Sequence, residues 1–412
     1  MKSIREALDL MMPAFTPVGV ERVALADAVG RVLAEDVLGR SDLPPFSNSA
    51  MDGYAVRAAD VASATAEAPA ELPVRGESKA GGETPPALEP GCAMRIFTGA
   101  AMPAGADAVV MQENTRAEGE ALFVLQAARV GENVRAQGSD LAQGAVMLAR
   151  GCRLQGGELG ILAAQRYASV TAYRRPMVAI LCTGDELRDV SEPEAPGTIV
   201  NSNAYALAAQ VAEAGGVPWV LPNVPDDLEV TVARLQDALR ADLVITVGGV
   251  SVGEYDYVKA AFERTGVEAS FWKVQVKPGK PLTFGRAGAT PVVGLPGNPI
   301  SAMVTFEAFV RPGLRAMQGD LRPHRLRHAV ALAGPHRHSP GRPELARAKV
   351  VRGADGQLVA ELLKLQGSGS LPSMVGVDAL VMLPMGQKDF AAGEILQAVL
   401  LQDQTGAAEP AF

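Results

Sequence analysis

The 412-residue chain carries 38 basic against 46 acidic residues, a net charge of −8, with 48% apolar residues. That is enough for roughly two to four cores, and the acidic balance argues against nonspecific nucleic-acid binding across the whole surface. No apolar run approaches the roughly 18 residues of a membrane span, and Cys92, Cys152 and Cys182 lie far apart without metal-ligand spacing, so membrane, zinc-module and disulfide-scaffold classes are excluded. A cytoplasmic location is expected, with the three cysteines buried as small apolar residues.

In chain order, the charge pattern of Met1-Lys2-Ser3-Ile4-Arg5-Glu6 predicts an amphipathic helix at Ile4–Met11, and a segment at 23–37 leads to the run Pro44-Pro45-Phe46-Ser47-Asn48-Ser49-Ala50-Met51-Asp52-Gly53-Tyr54-Ala55-Val56. There the proline pair predicts extended backbone, Gly53 a turn with φ > 0, and 54–56 a short anchoring strand. Asp52 is the first candidate for chemistry; the plainer reading is a solvated Asp-Gly hairpin turn. Residues 61–90, rich in Ala, Glu, Pro and Gly, read as surface loops linking short strands. Arg95-Ile96-Phe97-Thr98-Gly99 and 102–110 read as strand, loop and strand, with Thr98 at another glycine turn. Gly131-Glu132-Asn133-Val134-Arg135 and Gly138-Ser139-Asp140 precede a strand at 145–148.

Between about 176 and 318 apolar strands alternate with helical periods. Strands are predicted at Met177–Cys182, 219–224, Leu243–Val247 and 292–295, and helices at 203–214, 228–240 and Tyr257–Arg264. A last helix opens with Asn298 as N-cap and Pro299 at its first position. This alternation predicts a mostly parallel sheet wrapped by helices, in which ligands bind beyond the carboxyl ends of the strands. Three strands run into glycine turns: Thr183-Gly184-Asp185-Glu186, Gly248-Gly249-Val250-Ser251-Val252-Gly253 and Pro296-Gly297-Asn298-Pro299. Backbone amides in such turns hold phosphate oxygens, so a phosphate-bearing ligand is expected. Glu186, Asp226, Asp227 and Asp256 supply hard oxygens suited to Mg²⁺, although an Asp pair at a helix start is also a cap. Lys273, Lys277 and Lys280 surround the proline-stiffened Lys277-Pro278-Gly279-Lys280-Pro281 turn, an expected oxyanion clamp.

Beyond about 322 short strands separated by Gly and Pro, at Ala379–Leu383 and 395–399 among others, predict a small β-barrel or sandwich. The basic residues of 322–352 are expected to form a solvated face. All four histidines lie there, which leaves the rest of the chain without imidazole for acid-base or metal work.

Six ordered motifs resemble one family closely: the molybdopterin molybdenumtransferases, called MoeA in bacteria and related to the E domain of gephyrin and of plant Cnx proteins. They are SNSAMDGYAV at 47–56, IFTG at 96–99, TGDEL at 183–187, GGVSVGEYDYVK at 248–259, KPGKP at 277–281 and GLPGNPISA at 294–302. The resemblance implies four units. These are an elongated linker domain from 1–45 and 141–175, a small mixed α/β domain at 46–140, a MoaB/Mog-like molybdopterin-binding α/β domain at 176–320, and a C-terminal β-barrel at 321–412. It also implies a homodimer with composite sites, to which Asp52, Thr98, Arg135 and Asp140 come from one subunit and Glu186, Asp226, Asp256, Lys273 and Lys277 from the other. Thr183, Gly184, Gly248, Gly249, Ser251 and Lys280 would bind substrate, Pro296 and Pro299 shape the pocket, and Ser373 approach from the C-terminal domain. Asp52, Asp140, Glu186 and Asp256 would hold Mg²⁺. Adenylylated molybdopterin and molybdate are the implied substrates and AMP the leaving group. A molybdopterin adenylyltransferase and molybdoenzymes are the implied delivery partners, with no nucleic acid and no membrane.

Where many members carry a run of arginines, this chain has Arg135-Ala136-Gln137-Gly138-Ser139-Asp140, so only Arg135 keeps a positive charge. An adenylyltransferase would share the α/β domain but lack the SAMDGYAV segment, and a gephyrin-like scaffold would show long linkers or an appended domain. A relative specialised for tungstate is the remaining alternative, because molybdate and tungstate have nearly the same size and charge.

Overall fold

The computed structural model describes residues 1–249, 257–353 and 356–401. The alternation after Pro176 folds into a six-stranded sheet in the order Val217–Val220, Met177–Cys182, Leu243–Val247, Thr290–Leu295, Thr283–Ala287, Glu268–Phe271. The first four strands are parallel and the last two antiparallel. Leu243–Val247 is buried at every position, as a strand covered on both faces must be. Its side chains alternate: Leu243, Ile245 and Val247 join one core with the helices Ser202–Glu213 and Pro299–Thr305, while Val244 joins another with Leu228–Ala238 and Tyr257–Arg264.

The helix ends show which polar side chains are already committed. Asn201 caps Ser202–Glu213 by accepting from the Ala204 amide at 3.1 Å. Asp227 caps Leu228–Ala238 by accepting from the Val230 amide at 2.9 Å. Asn298 stands at the N-cap of Pro299–Thr305, but its side chain accepts no amide there; it donates instead to Ser368 Oγ at 3.2 Å. The expected side-chain cap at Asn298 is therefore a contact with another part of the chain.

The predicted helix Ile4–Met11 starts with a reciprocal Ser3–Glu6 capping box. It buries Ala7 and Met11 in the same core as Ile180 and Leu295, and Phe15 stacks 6.0 Å from Phe284. Val20–Ala24 then pairs antiparallel with Ser169–Tyr173, and Val37–Leu38 with Val146–Leu148, around a small core under the helix Gly156–Ala164. Between these two halves lies a second six-stranded sheet, in the order Ala108–Met111, Gly53–Val56, Ala93–Ile96, Ala70–Ser78, Ala121–Val124, Thr115–Glu118.

The C-terminal strands Arg327–Leu332, Leu358–Leu362, Glu344–Arg352, Ala379–Leu383 and Ile395–Leu400 close into a barrel. Of the two all-β forms open from sequence, the barrel is the one formed. Its basic residues mostly face outward, but Arg347 and His338 are buried. No helix among the described residues is long and apolar enough to cross a membrane.

Candidate active site

The parallel register aligns Cys182 with Val247 and Val247 with Leu295, so three strands end level and their following turns meet at one sheet edge. Together they line a pocket of about 600 Å³ whose walls include Thr183, Gly184, Glu186, Asp226, Gly248, Gly249, Pro296 and Pro299. A second chamber of about 560 Å³ adjoins it across Gly184, Leu187 and Asn201. Each is within the range of pockets that enclose a small organic ligand.

The glycines serve this pocket by their size. A Cβ on Gly248 would come within 2.8 Å of the Thr183 carbonyl oxygen, and one on Gly249 within 2.4 Å of Val258 Cγ2. The expected phosphate cradle is corrected in one respect. The Thr183 amide donates to Val247 O at 3.0 Å, the Gly184 amide to Val224 O at 3.0 Å and the Gly248 amide to Leu295 O at 3.2 Å. Those three N–H groups are consumed by the fold. Ser251 and Asp256 lie outside the described residues.

Negative charge is crowded at this edge. The Asp226 carboxyl is pushed above its ordinary range, first by burial and then by the carboxylates of Asp185 and Glu186. Asp227, committed to its helix cap, does not share this role. No described group of three or more His, Cys, Asp or Glu is gathered closely enough to hold a metal by itself. Mg²⁺ commonly takes only one or two carboxylates and completes its shell with phosphate and water. The hard oxygens of Glu186 and Asp226, with uncompensated charge between them, fit that pattern.

The Asp52 loop forms a second cluster. Its approach is clamped between two segments: the Ser49 amide donates to Ala100 O at 3.0 Å, the Ala50 amide to Asn133 O at 2.8 Å, and Asn48 pairs with Arg135. Asp52 Oδ1 accepts from both the amide and the hydroxyl of Thr98, each at 2.7 Å. These two bonds, with Arg95 nearby, hold the carboxyl below its usual range. Asp52 and Thr98 are thus joined and Arg135 is paired onto the segment that leads to them, all three exposed, and Phe46 and Met51 of the same segment are exposed too. Gly53 is needed for close approach, since a Cβ there would meet Val110 O at 2.0 Å. It sits in a strand without the positive φ expected of it. Asp140 is exposed, accepts from Ser139 Oγ at 3.2 Å and is tied through its amide to Leu43 O at 2.9 Å.

The lysines diverge. Lys277 Nζ donates to Glu344 Oε2 at 2.9 Å, Lys273 is half-buried and Lys280 exposed. None of the three lines the pocket, to which their loop contributes Pro281. Ser373 is buried and donates to Ser370 O at 2.5 Å. The C-terminal residue that touches the Pro296–Pro299 turn is Ser368, which accepts from Asn298 Nδ2 at 3.2 Å and through its carbonyl from the Ile300 amide at 3.1 Å. On the other side Asn203 Nδ2 donates to Gly297 O at 2.7 Å. Neither Ser368 nor Asn203 was expected from sequence. The only signal was composition, a run of serines at 368–373 and paired asparagines at 201 and 203.

Three family models match the chain: MoeA N-terminal region (domain I and II) over residues 2–165, probable molybdopterin binding domain over 179–316, and MoeA C-terminal region (domain IV) over 329–401. A molybdopterin molybdenumtransferase of Bacillus subtilis is 37% identical over 395 residues, 95% of this chain and 92% of that one. One of Nostoc is 40% identical over 381 residues, 91% and 87% of the two chains. The crystal structure of a molybdopterin biosynthesis moeA protein from Pyrococcus horikoshii superposes with a TM-score of 0.85 at 30% identity, covering 97% of this chain and all of that one.

Proposed function

The chain belongs to the MoeA family of molybdopterin molybdenumtransferases, transferases of molybdenum cofactor biosynthesis, and from that premise we infer that its pocket takes adenylylated molybdopterin and molybdate and releases AMP. The observation that carries this reading is the convergence of three level strand ends on one pocket lined by Thr183, Glu186, Asp226, Gly249, Pro296 and Pro299. A ligand with a pterin, a phosphoanhydride and a nucleoside needs the length that the two adjoining chambers give.

In this mechanism Glu186 and Asp226 face the anhydride. Asp226, its carboxyl raised by burial and by the charges of Asp185 and Glu186, lines the pocket wall where a bound cation would relieve that crowding. Asp52, ionised and fixed by Thr98, joins with Asp140 and Arg135 from the second subunit of a homodimer. The exposed Phe46 and Met51 of the same segment are apolar surface that such a subunit contact would cover. Carboxylates among Asp52, Asp140, Glu186 and Asp256 would hold Mg²⁺ beside Asp226, and the ion would supply charge neutralisation for the anhydride. Lys273, Lys277 and Lys280, which lie off the pocket wall, would draw molybdate toward it, a task made heavier by Ala136 and Gln137 where many members carry arginine. Substrate arrives from a molybdopterin adenylyltransferase and product leaves to molybdoenzymes, in the cytoplasm.

The test is AMP release from adenylylated molybdopterin with molybdate and Mg²⁺ each omitted in turn. Release should require both, and no pyrophosphate should form from ATP and molybdopterin. Pyrophosphate formation would instead identify an adenylyltransferase, absence of any turnover a scaffold, and turnover with tungstate alone a tungsten enzyme.

A further inference from the structure

We propose that Glu344, a carboxylate of the C-terminal barrel, is a positioning residue for Lys277 and so governs the uptake of molybdate; this rests on the reading of Lys277 as an oxyanion partner. The two residues meet through both main chain and side chain. The Lys277 amide donates to Pro343 O at 2.9 Å, the Leu345 amide donates to Lys277 O at 2.8 Å, and Lys277 Nζ donates to Glu344 Oε2 at 2.9 Å. The Glu344 side chain is 2% exposed and that of Lys277 38%.

A buried carboxylate is costly unless a cation stays with it. Three other basic side chains lie around it, and the His336 ring and the Arg347 guanidinium both feel its charge. His338 Nδ1 lies 3.3 Å from Glu344 Oε2, but neither ring nitrogen is aligned for a hydrogen bond. Arg347 is directed to the carbonyls of Leu365 and Gly367. Lys277 is the cation hydrogen-bonded to Glu344, and the His338 imidazole beside the same oxygen is a second partner only when protonated. One of the three N–H donors of Lys277 is spent on that contact, and the half-exposed ammonium keeps the other two. The lysine side chain is otherwise a flexible stem with a freely rotating head. Glu344 converts it into a cation at a fixed place. The same pairing makes the barrel a functional part of the α/β site, since Glu344 opens the barrel strand Glu344–Arg352.

Glu344→Gln keeps an acceptor of the same shape and removes the charge. The half-saturating molybdate concentration should rise about tenfold, the size of one charged hydrogen bond, with kcat changed by less than about twofold. The half-saturating concentration of adenylylated molybdopterin should not move. Glu344→Asp, which keeps the charge on a shorter stem, should show a smaller rise, and Lys277→Ala in the Gln background should add no further loss. A Gln variant with normal molybdate dependence, while Lys277→Ala alone is impaired, overturns the positioning role. A Lys277→Ala variant with normal molybdate dependence overturns the oxyanion reading of Lys277, and this proposal with it. Should the Gln variant fail to fold, the Asp variant carries the test: an unchanged molybdate dependence overturns the proposal and a raised one supports it.

Discussion

Asp52 shows how much one residue's role depends on a partner distant in sequence. The motif around it made the turn and the strand legible, but Thr98, which supplies two of its hydrogen bonds, lies 46 positions away and belongs to a different loop. Each was placed at a glycine turn and only the family resemblance put them in one site, because a side-chain contact across a sheet leaves no local periodicity. Gly53 was legible as obligatory and misassigned in cause: the constraint is the Val110 carbonyl oxygen, supplied by a neighbouring strand. Asp52→Asn should cut AMP release by at least roughly 10²-fold, since an amide cannot replace a charged ligand or base. Thr98→Val removes the hydroxyl donor and keeps the amide, so its loss should be smaller, about tenfold for one charge-assisted hydrogen bond. Both should be read at unchanged far-UV circular dichroism. Equal losses in the two variants would mean that Thr98 contributes more than orientation.

At the scale of elements, most apolar runs and their turns sufficed, but the strand expected at 219–224 lies at Val217–Val220. Met177–Cys182, Leu243–Val247 and Tyr257–Arg264 are where their patterns put them, because a strand buried on both faces or a helix with one apolar face leaves a strong periodic mark. Termini were less legible: helix 203–214 starts one residue early on an Asn201 cap, and the Asn298 side chain serves Ser368. The adjacent Asp226 and Asp227 illustrate the limit, since a cap and a site carboxylate are indistinguishable in sequence. The structure separates them, and the separation can be measured. Asp227→Ala should lower stability by about 1 kcal/mol through the lost cap and leave kcat within about threefold. Asp226→Asn should lower AMP release by roughly 10²-fold without loss of stability. The sign follows from its raised carboxyl: the native state binds the proton more tightly than the unfolded chain, so the residue costs stability as pH rises from the unfolded value through the folded one. The Asn variant should melt at or above the wild-type temperature at neutral pH, and the difference should vanish below the ordinary carboxyl range. Denaturant titration of both variants at two pH values checks the pair, and a destabilised Asp226→Asn would assign that carboxylate a structural part.

In the whole molecule, the chain visits the α/β core first with Ile4–Met11, leaves it for one long excursion over 20–173 and returns. Strand pairings between 20–38 and 146–173 tie the ends of the excursion together. Such long-range closure was not readable from composition or periodicity and came to the sequence reading through family resemblance. The gathered Asp52, Thr98 and Arg135 belong to the excursion, and the pocket of Glu186 and Asp226 to the sheet edge. If these halves meet only across a homodimer, two inactive chains should restore each other. Asp52→Asn and Glu186→Gln chains, unfolded and refolded together, would give a heterodimer with both lesions in one site and none in the other. Random pairing makes about half the dimers mixed, so roughly a quarter of all sites should be intact, far above the ~10²-fold loss of either parent. Mixed dimers confirmed by mass with activity at the parental level would place each complete site within a single chain.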